Sequence, residues 1–92
     1  MTSPDEIERV RDGIVRIDRE IVMLLAERVA LARQAGELKR VKGLPTLDPA
    51  REATVLREMV ELGREHGLHS EDARDVFWSV IALCRRAQTE QP

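Results

Sequence analysis

The sequence has no tyrosine, one phenylalanine and one tryptophan, so few aromatic side chains exist to fill a large core. Its single cysteine, Cys84, excludes an intrachain disulfide and makes a reducing compartment the simpler expectation. No apolar run approaches the roughly 20 residues that a bilayer span requires. The opening Met1-Thr2-Ser3-Pro4-Asp5-Glu6 lacks the basic-then-apolar layout of a secretory signal, so a cytoplasmic location is expected. Strand signals, internal repeats and low-complexity tracts are missing too. There is no glycine-rich phosphate loop and no nucleophile motif. His66 and His69 flank a helix-stop glycine without cysteine or carboxylate spacing, which is a weak metal signal. The expectation is no metal and no cofactor.

What is present is charge. Lys+Arg is 15 and Asp+Glu 17 in 92 residues, a net charge of −2 that argues against nucleic acid or membrane as a partner. Apart from Lys39 and Lys42, every basic residue is arginine. Apolar residues at 42% and charged residues at 35% describe one soluble, folded domain over residues 1–92. A monomer of this size buries only about 60–65% of its unfolded surface, a deficit that oligomerisation commonly repairs.

From Ile7 the apolar residues keep a heptad: Val10, Ile14, Ile17, Ile21, Leu24, then Leu31, Ala35 and Leu38. That period predicts one very long helix over about residues 5–40 with a coiled-coil-like seam. Such a helix would run on the order of 50 Å. A compact chain of this length is only about 30 Å across. The helix must therefore pack along something longer than its own domain, most simply a second copy. Gly43 and Pro45 mark a loop. Asp48-Pro49 starts a second helix over 49–65, with Asp48 as cap, proline at the first position, and a buried face of Ala53, Leu56, Met59, Val60 and Gly63. Gly67 suits the left-handed position after its end. A third helix over 71–89, capped by Ser70, turns Ala73, Val76, Phe77, Val80, Ile81, Cys84 and Ala87 inward. The fold class is all-α: three unequal helices per chain in an intertwined helical homodimer.

Some residues break this pattern. Arg28 occupies a seam position between Leu24 and Leu31. It either sets register and snorkels outward, or points a guanidinium inward to bind an anion. Lys39 lies three turns on and only about 20° round the axis, so it shares that face. Gln88 follows Phe77, Ile81 and Cys84 at helical spacing. It is either a fraying terminal residue or an uncharged donor into the same cavity. Asp48 and Glu52 are explained as a cap and first turn, but Arg51 is a cation at a helix start, where an anion would be needed to favour it. Cys84 reads as a buried hydrophobe rather than a nucleophile.

The ordered set of these residues resembles the all-helical chorismate mutases, small intertwined dimers that rearrange chorismate to prephenate in aromatic amino-acid biosynthesis. The resemblance is carried by Ile7-Glu8-Arg9-Val10-Arg11 with Ile17-Asp18, then Leu24-Leu25-Ala26-Glu27-Arg28. It continues through Ala35-Gly36-Glu37-Leu38-Lys39 and Asp48-Pro49-Ala50-Arg51-Glu52 to Gln88, over roughly residues 6–90. It implies that Arg28, and Arg11 from the other subunit, hold the carboxylates of this small dianion. Lys39 contacts a carboxylate and the ether oxygen whose bond breaks, and Gln88 donates to that oxygen. Glu52 and the backbone near Asp48 hold the ring hydroxyl, with Arg51 near the ring-side carboxylate. Cys84 departs from the family's usual serine, and a thiol is a weaker donor. Leu47 stands at a loop position often basic in the family. Arg11 and Arg28 sit about 25 Å apart along a straight helix, too far for one small molecule to reach both within one chain.

The resemblance extends to isochorismate pyruvate lyases and 4-amino-4-deoxychorismate mutases of the same fold. Glu52, a carboxylate acceptor suited to a hydroxyl, favours the chorismate mutase over the isochorismate pyruvate lyase. A 4-amino-4-deoxychorismate mutase would be nearly indistinguishable in sequence. A non-catalytic helical dimerisation module would explain the heptad but not inward-facing Arg28, Lys39 and Gln88. A larger enzyme of the same pathway would be a further partner in keeping with the resemblance.

Overall fold

The computed structural model describes residues 4–90. It contains α1 (Pro4–Lys42), α2 (Pro49–Glu65) and α3 (Ser70–Gln88), an all-α arrangement as expected, with helix ends within two residues of the sequence expectation. Asp5 and Glu6 stand in the first turn of α1 and Lys39, Arg40 and Lys42 in its last, each matched to the helix dipole. Exposed pairs such as Arg16–Glu20 at 3.2 Å lie along it, each adding about 0.3–0.5 kcal/mol.

Two glycines end α1 and α2 in the same way. Gly43 has φ 69° and Gly67 φ 87°. After α1, the Leu44 N–H reaches the Lys39 carbonyl at 2.8 Å; after α2, the Leu68 N–H reaches the Gly63 carbonyl at 2.9 Å. Both closures satisfy orphan carbonyls that an L side chain in the left-handed position would oppose. Asp48 caps α2 through Oδ1, which accepts from the Arg51 N–H at 3.0 Å. One expectation is corrected here. The cap position of α3 is His69, with extended backbone and no side-chain cap bond, and Ser70 is already the first helical residue.

The helices form a single layer. α3 packs on α1 along one flank and on α2 along the other, while α1 and α2 do not pack on each other. Arg28 meets Phe77 and Lys39 meets Gln88, so α3 runs parallel to the second half of α1. Glu52 meets Arg85, and a side chain at Gly63 would meet Ala73, so α2 runs antiparallel to α3. The extents are 62 × 28 × 14 Å, and the radius of gyration is 17.2 Å. A compact chain of this length would have a radius of about 12 Å.

A single layer cannot bury both of its faces. Ala32, Ala73, Ile81, Cys84 and Ala87 are the buried hydrophobic residues among those described. Of the heptad seam only Ala35 is half-buried; Ile7, Val10, Ile14, Ile17, Ile21, Leu24, Leu31 and Leu38 are exposed, Leu24 to 63%. The inward faces expected for α2 and α3 are corrected at two positions. Ala53 is exposed, because α2 touches only α3 and turns Val55 toward it instead, beside the expected Leu56, Met59, Val60 and Gly63, all of them half-buried. Val76 is 65% exposed on the rim of a groove between α2 and α3.

Candidate active site

Where α1, the start of α2 and the end of α3 converge, they enclose a cleft of about 400 Å³. Arg28, Arg51, Glu52, Cys84 and Gln88 line it, so five of the expected site residues share one cavity. Each is placed by a local rule. Arg28 lies one turn before Ala32 on the face of α1 that meets α3. Its guanidinium carbon lies 5.6 Å from the centre of the Phe77 ring, a cation–π distance that ties the side chain to α3. Arg51 and Glu52 stand in the first turn of α2, held by the Asp48 cap. Neither Arg28 nor Arg51 has a carboxylate partner among the described ion pairs.

Lys39 does not line that cleft. It lines an adjoining recess with Leu44, Pro45, Leu47, Asp48 and Pro49. It is tied to the cleft lining by a side-chain contact: Lys39 Nζ donates to Gln88 Oε1 at 2.7 Å. Nζ also donates to the Thr46 carbonyl at 2.9 Å. An ammonium has three donors, so one is left for another acceptor. Lysine only donates, so its partner on Gln88 must be the amide oxygen. The amide NH₂ of Gln88 is therefore the end turned away from Lys39 and free to donate.

A glycine makes this contact possible. A β-carbon on Gly36 would lie 3.0 Å from the Gln88 Cα and closer still to its carbonyl oxygen. Residue 36 must lack a side chain for the end of α3 to approach α1 this closely. Glu90 then ties the same end down: Arg33 Nε donates to Glu90 Oε2 at 2.6 Å. Hydrogen bonding to Arg33 lowers the Glu90 carboxyl from its usual range, against a smaller opposing effect of burial, and Glu90 correspondingly raises Arg33.

Glu52 is held from α3. Arg85 Nε donates to Glu52 Oε2 at 3.1 Å, and Arg85 Nη2 donates to Glu52 Oε1. The hydrogen bonds and charge of Glu52 raise the Arg85 guanidinium further above its already high range. Sequence reasoning passed over both Arg85 and Thr46. Thr46 acts through a backbone carbonyl, which no side-chain pattern signals. Arg85 falls one turn after Ile81 on α3, but beside Arg86 it reads as surface charge until Glu52 is placed opposite it.

Arg11 is not with the others. It is exposed on the free half of α1, paired to Glu8 at 3.4 Å. Cys84 is 3% exposed and packs with Ala32 and Ala87. His66 faces its own helix, Nδ1 lying 3.0 Å from the Leu62 carbonyl.

The family profile described as chorismate mutase type II matches residues 10–89. The "Bifunctional chorismate mutase/prephenate dehydratase" of Aquifex aeolicus is 34% identical over 83 residues, covering 87% of this chain and 23% of the relative. The protein of the same name from Escherichia coli is 32% identical over 81 residues, covering 88% of this chain and 21% of the relative. The "Chorismate mutase" of Methanocaldococcus jannaschii is 31% identical over 77 residues, 84% of this chain and 78% of the relative. The chain thus spans about a fifth of the bifunctional relatives and most of the single-function one. It belongs to the chorismate mutase type II family.

Proposed function

We propose that this member of the chorismate mutase type II family is an enzyme that rearranges chorismate to prephenate, a step of aromatic amino-acid biosynthesis. One observation carries the reading. The Lys39–Gln88 pair stands at the edge of a cleft whose other cations, Arg28 and Arg51, have no carboxylate partner among the described residues. A pocket with cations to spare suits a small dianion.

The reaction is a [3,3] rearrangement. The ether C–O bond breaks as a C–C bond forms, and no proton is transferred. The protein's task is to hold the compact conformer and to stabilise the negative charge that grows on the ether oxygen. Arg28 and Arg51 serve the first need by gripping carboxylates. The free donor of Lys39 and the NH₂ of Gln88 serve the second, both held in place before substrate arrives. Glu52, beside the Asp48 cap, accepts from the ring hydroxyl, and Cys84 contributes a wall. No metal or cofactor enters this scheme.

The scheme is completed by a second copy of the chain. The exposed apolar stripe of α1 and the single-layer fold both call for a partner of equal length. The apolar groove between α2 and α3, lined by Met59, Leu62, Leu68, Val76 and Phe77, offers a seat for it. In an intertwined homodimer the partner's Arg11 would reach the cleft that its own chain's Arg28 lies about 25 Å away from. No helix among the described residues is long and apolar enough to cross a membrane. A cytoplasmic setting belongs to the same reading, supported by the lone buried thiol.

The test is incubation of the purified protein with chorismate, isochorismate and 4-amino-4-deoxychorismate, with products separated by chromatography. Prephenate from chorismate is the expected result. Pyruvate release from isochorismate, or turnover of the amine alone, would move the chain to another branch of the fold. No turnover of any of them would leave a dimerisation module.

A further inference from the structure

Glu52 faces the cleft with its charge already matched. Arg85 holds both of its oxygens, yet Arg85 does not line the cleft; it reaches Glu52 from the adjacent helix. The Glu52 side chain is 14% exposed and that of Arg85 40%. Arg85 is in turn backed by Trp78, whose ring centre lies 5.8 Å from the guanidinium carbon. A mostly buried carboxylate therefore carries a fixed counter-ion applied from outside the pocket.

That arrangement bears on what Glu52 accepts. A carboxylate with its charge unmatched and little solvent around it attracts a cation far more than a neutral donor. With Arg85 in place, most of that attraction is cancelled, while unused lone pairs on Oε1 and Oε2 still accept hydrogen bonds. An ammonium beside Glu52 would also meet the field of Arg85, Arg28 and Arg51. A hydroxyl pays no such penalty. We propose that Arg85 is a specificity-determining positioning residue: by neutralising Glu52 from behind, it makes the pocket accept a substrate with a ring hydroxyl and reject the analogue bearing an ammonium there. The proposal rests on the reading above that Glu52 faces that ring substituent.

The experiment compares kcat/KM for chorismate and for 4-amino-4-deoxychorismate at neutral pH, where the amine is protonated. The proteins are the unaltered chain, Arg85→Gln, Arg85→Met and Arg85→Lys. Arg85→Gln keeps a donor to Glu52 and removes only the charge, so it decides the matter should Arg85→Met fail to fold. The unaltered chain should prefer chorismate. Arg85→Gln should shift the ratio toward the amine by at least about tenfold, a modest share of what a buried charge mismatch costs. Arg85→Lys keeps the charge but loses the two-pronged grip, so its ratio should fall between those of the unaltered chain and Arg85→Gln. A ratio as far shifted as that of Arg85→Gln would contradict a role for the charge. A purely structural Arg85 would lower both kcat/KM values by the same factor. An unchanged ratio in Arg85→Gln, or an unaltered chain that prefers the amine, overturns the proposal. Turnover of neither compound by the unaltered chain overturns the chorismate mutase reading, and this inference with it.

Discussion

Lys39 Nζ lies 2.7 Å from Gln88 Oε1, a contact between the end of α1 and the end of α3 that decides which way the Gln88 amide faces. Lysine cannot accept, so the amide NH₂ is turned toward the remaining space. In the proposed rearrangement two donors are thereby preset for one developing oxyanion, and substrate would not have to reorganise them.

Lys39→Ala removes one of those donors and releases the other. The expected fall in kcat is at least about 10²–10³, the scale of losing a single preorganised oxyanion donor. Steady-state kinetics on chorismate, with helicity checked by circular dichroism, measures it. A fall below about fivefold in a folded variant would take Lys39 out of the mechanism.

Gly36→Ala tests the close approach behind that contact. In an open helix, alanine would stabilise relative to glycine by about 1 kcal/mol. Here the added carbon meets the Gln88 backbone, which has no flexible end to yield. The expected outcome is a net loss of about 1–3 kcal/mol by overpacking, with kcat reduced as Gln88 shifts from Lys39. Denaturant titration and kinetics on the same sample report both. Stabilisation with full activity would show that α3 is not held this tightly to α1.

Cys84→Ser should be tolerated. The side chain lines the cleft and is 3% exposed against Ala32 and Ala87, and serine fits the same volume. Its hydroxyl can bond to the carbonyl one turn back, as Ser79 does to Asp75 at 3.2 Å. Activity within about tenfold is expected; a larger drop would mean that the site needs an apolar group here. Alkylation of the buried thiol in the unaltered chain should be slow.

The Arg33–Glu90 pair predicts a pH dependence with a definite sign. Hydrogen bonding to Arg33 lowers the Glu90 carboxyl in the folded state. A depressed carboxyl contributes stability that is present above the ordinary glutamate value of about 4.3 and is lost as pH falls through the lower folded value. Glu90→Gln should therefore melt slightly below the unaltered chain at neutral pH, and the two should converge in acid. Both side chains are about half exposed, so added salt should shrink the gap as well. Melting curves across pH and salt test this; a gap that widens in acid would contradict it.

Much of this architecture was legible in the sequence because its signals are local. The heptad from Ile7 to Leu38 announces α1, Asp48-Pro49 announces α2, and Gly43 and Gly67 announce the stops. Arg28, Arg51, Glu52 and Gln88 stood out as polar residues on apolar faces or at a helix start. What was not legible depends on how helices are arranged. That α3 is the middle of the layer decides that Val55 rather than Ala53 turns inward, and no periodicity of α2 encodes its neighbour. His69 displaced Ser70 as the cap because backbone geometry, not side-chain preference, sets that boundary. Thr46 contributes a carbonyl, and Arg85 reads as surface charge beside Arg86 until Glu52 is placed opposite it.

The separation of Arg11 from the cleft yields the most demanding prediction. Arg11→Ala and Lys39→Ala homodimers should each be nearly inactive, since both sites of each dimer carry the lesion. If the two variants are unfolded, mixed equally and refolded, random pairing makes about half the dimers mixed. One site of a mixed dimer combines both defects. The other takes an unaltered Arg11 from one chain and an unaltered Lys39 from its mate. Activity should return to about a quarter of the unaltered level, half the dimers with one sound site each. Among the described residues Arg11 is paired to Glu8, and it lies about 25 Å along α1 from Arg28, so no rotamer closes that distance. If mixed dimers demonstrably form and the mixture stays as inactive as its parents, the site is built within one chain and the shared architecture is wrong.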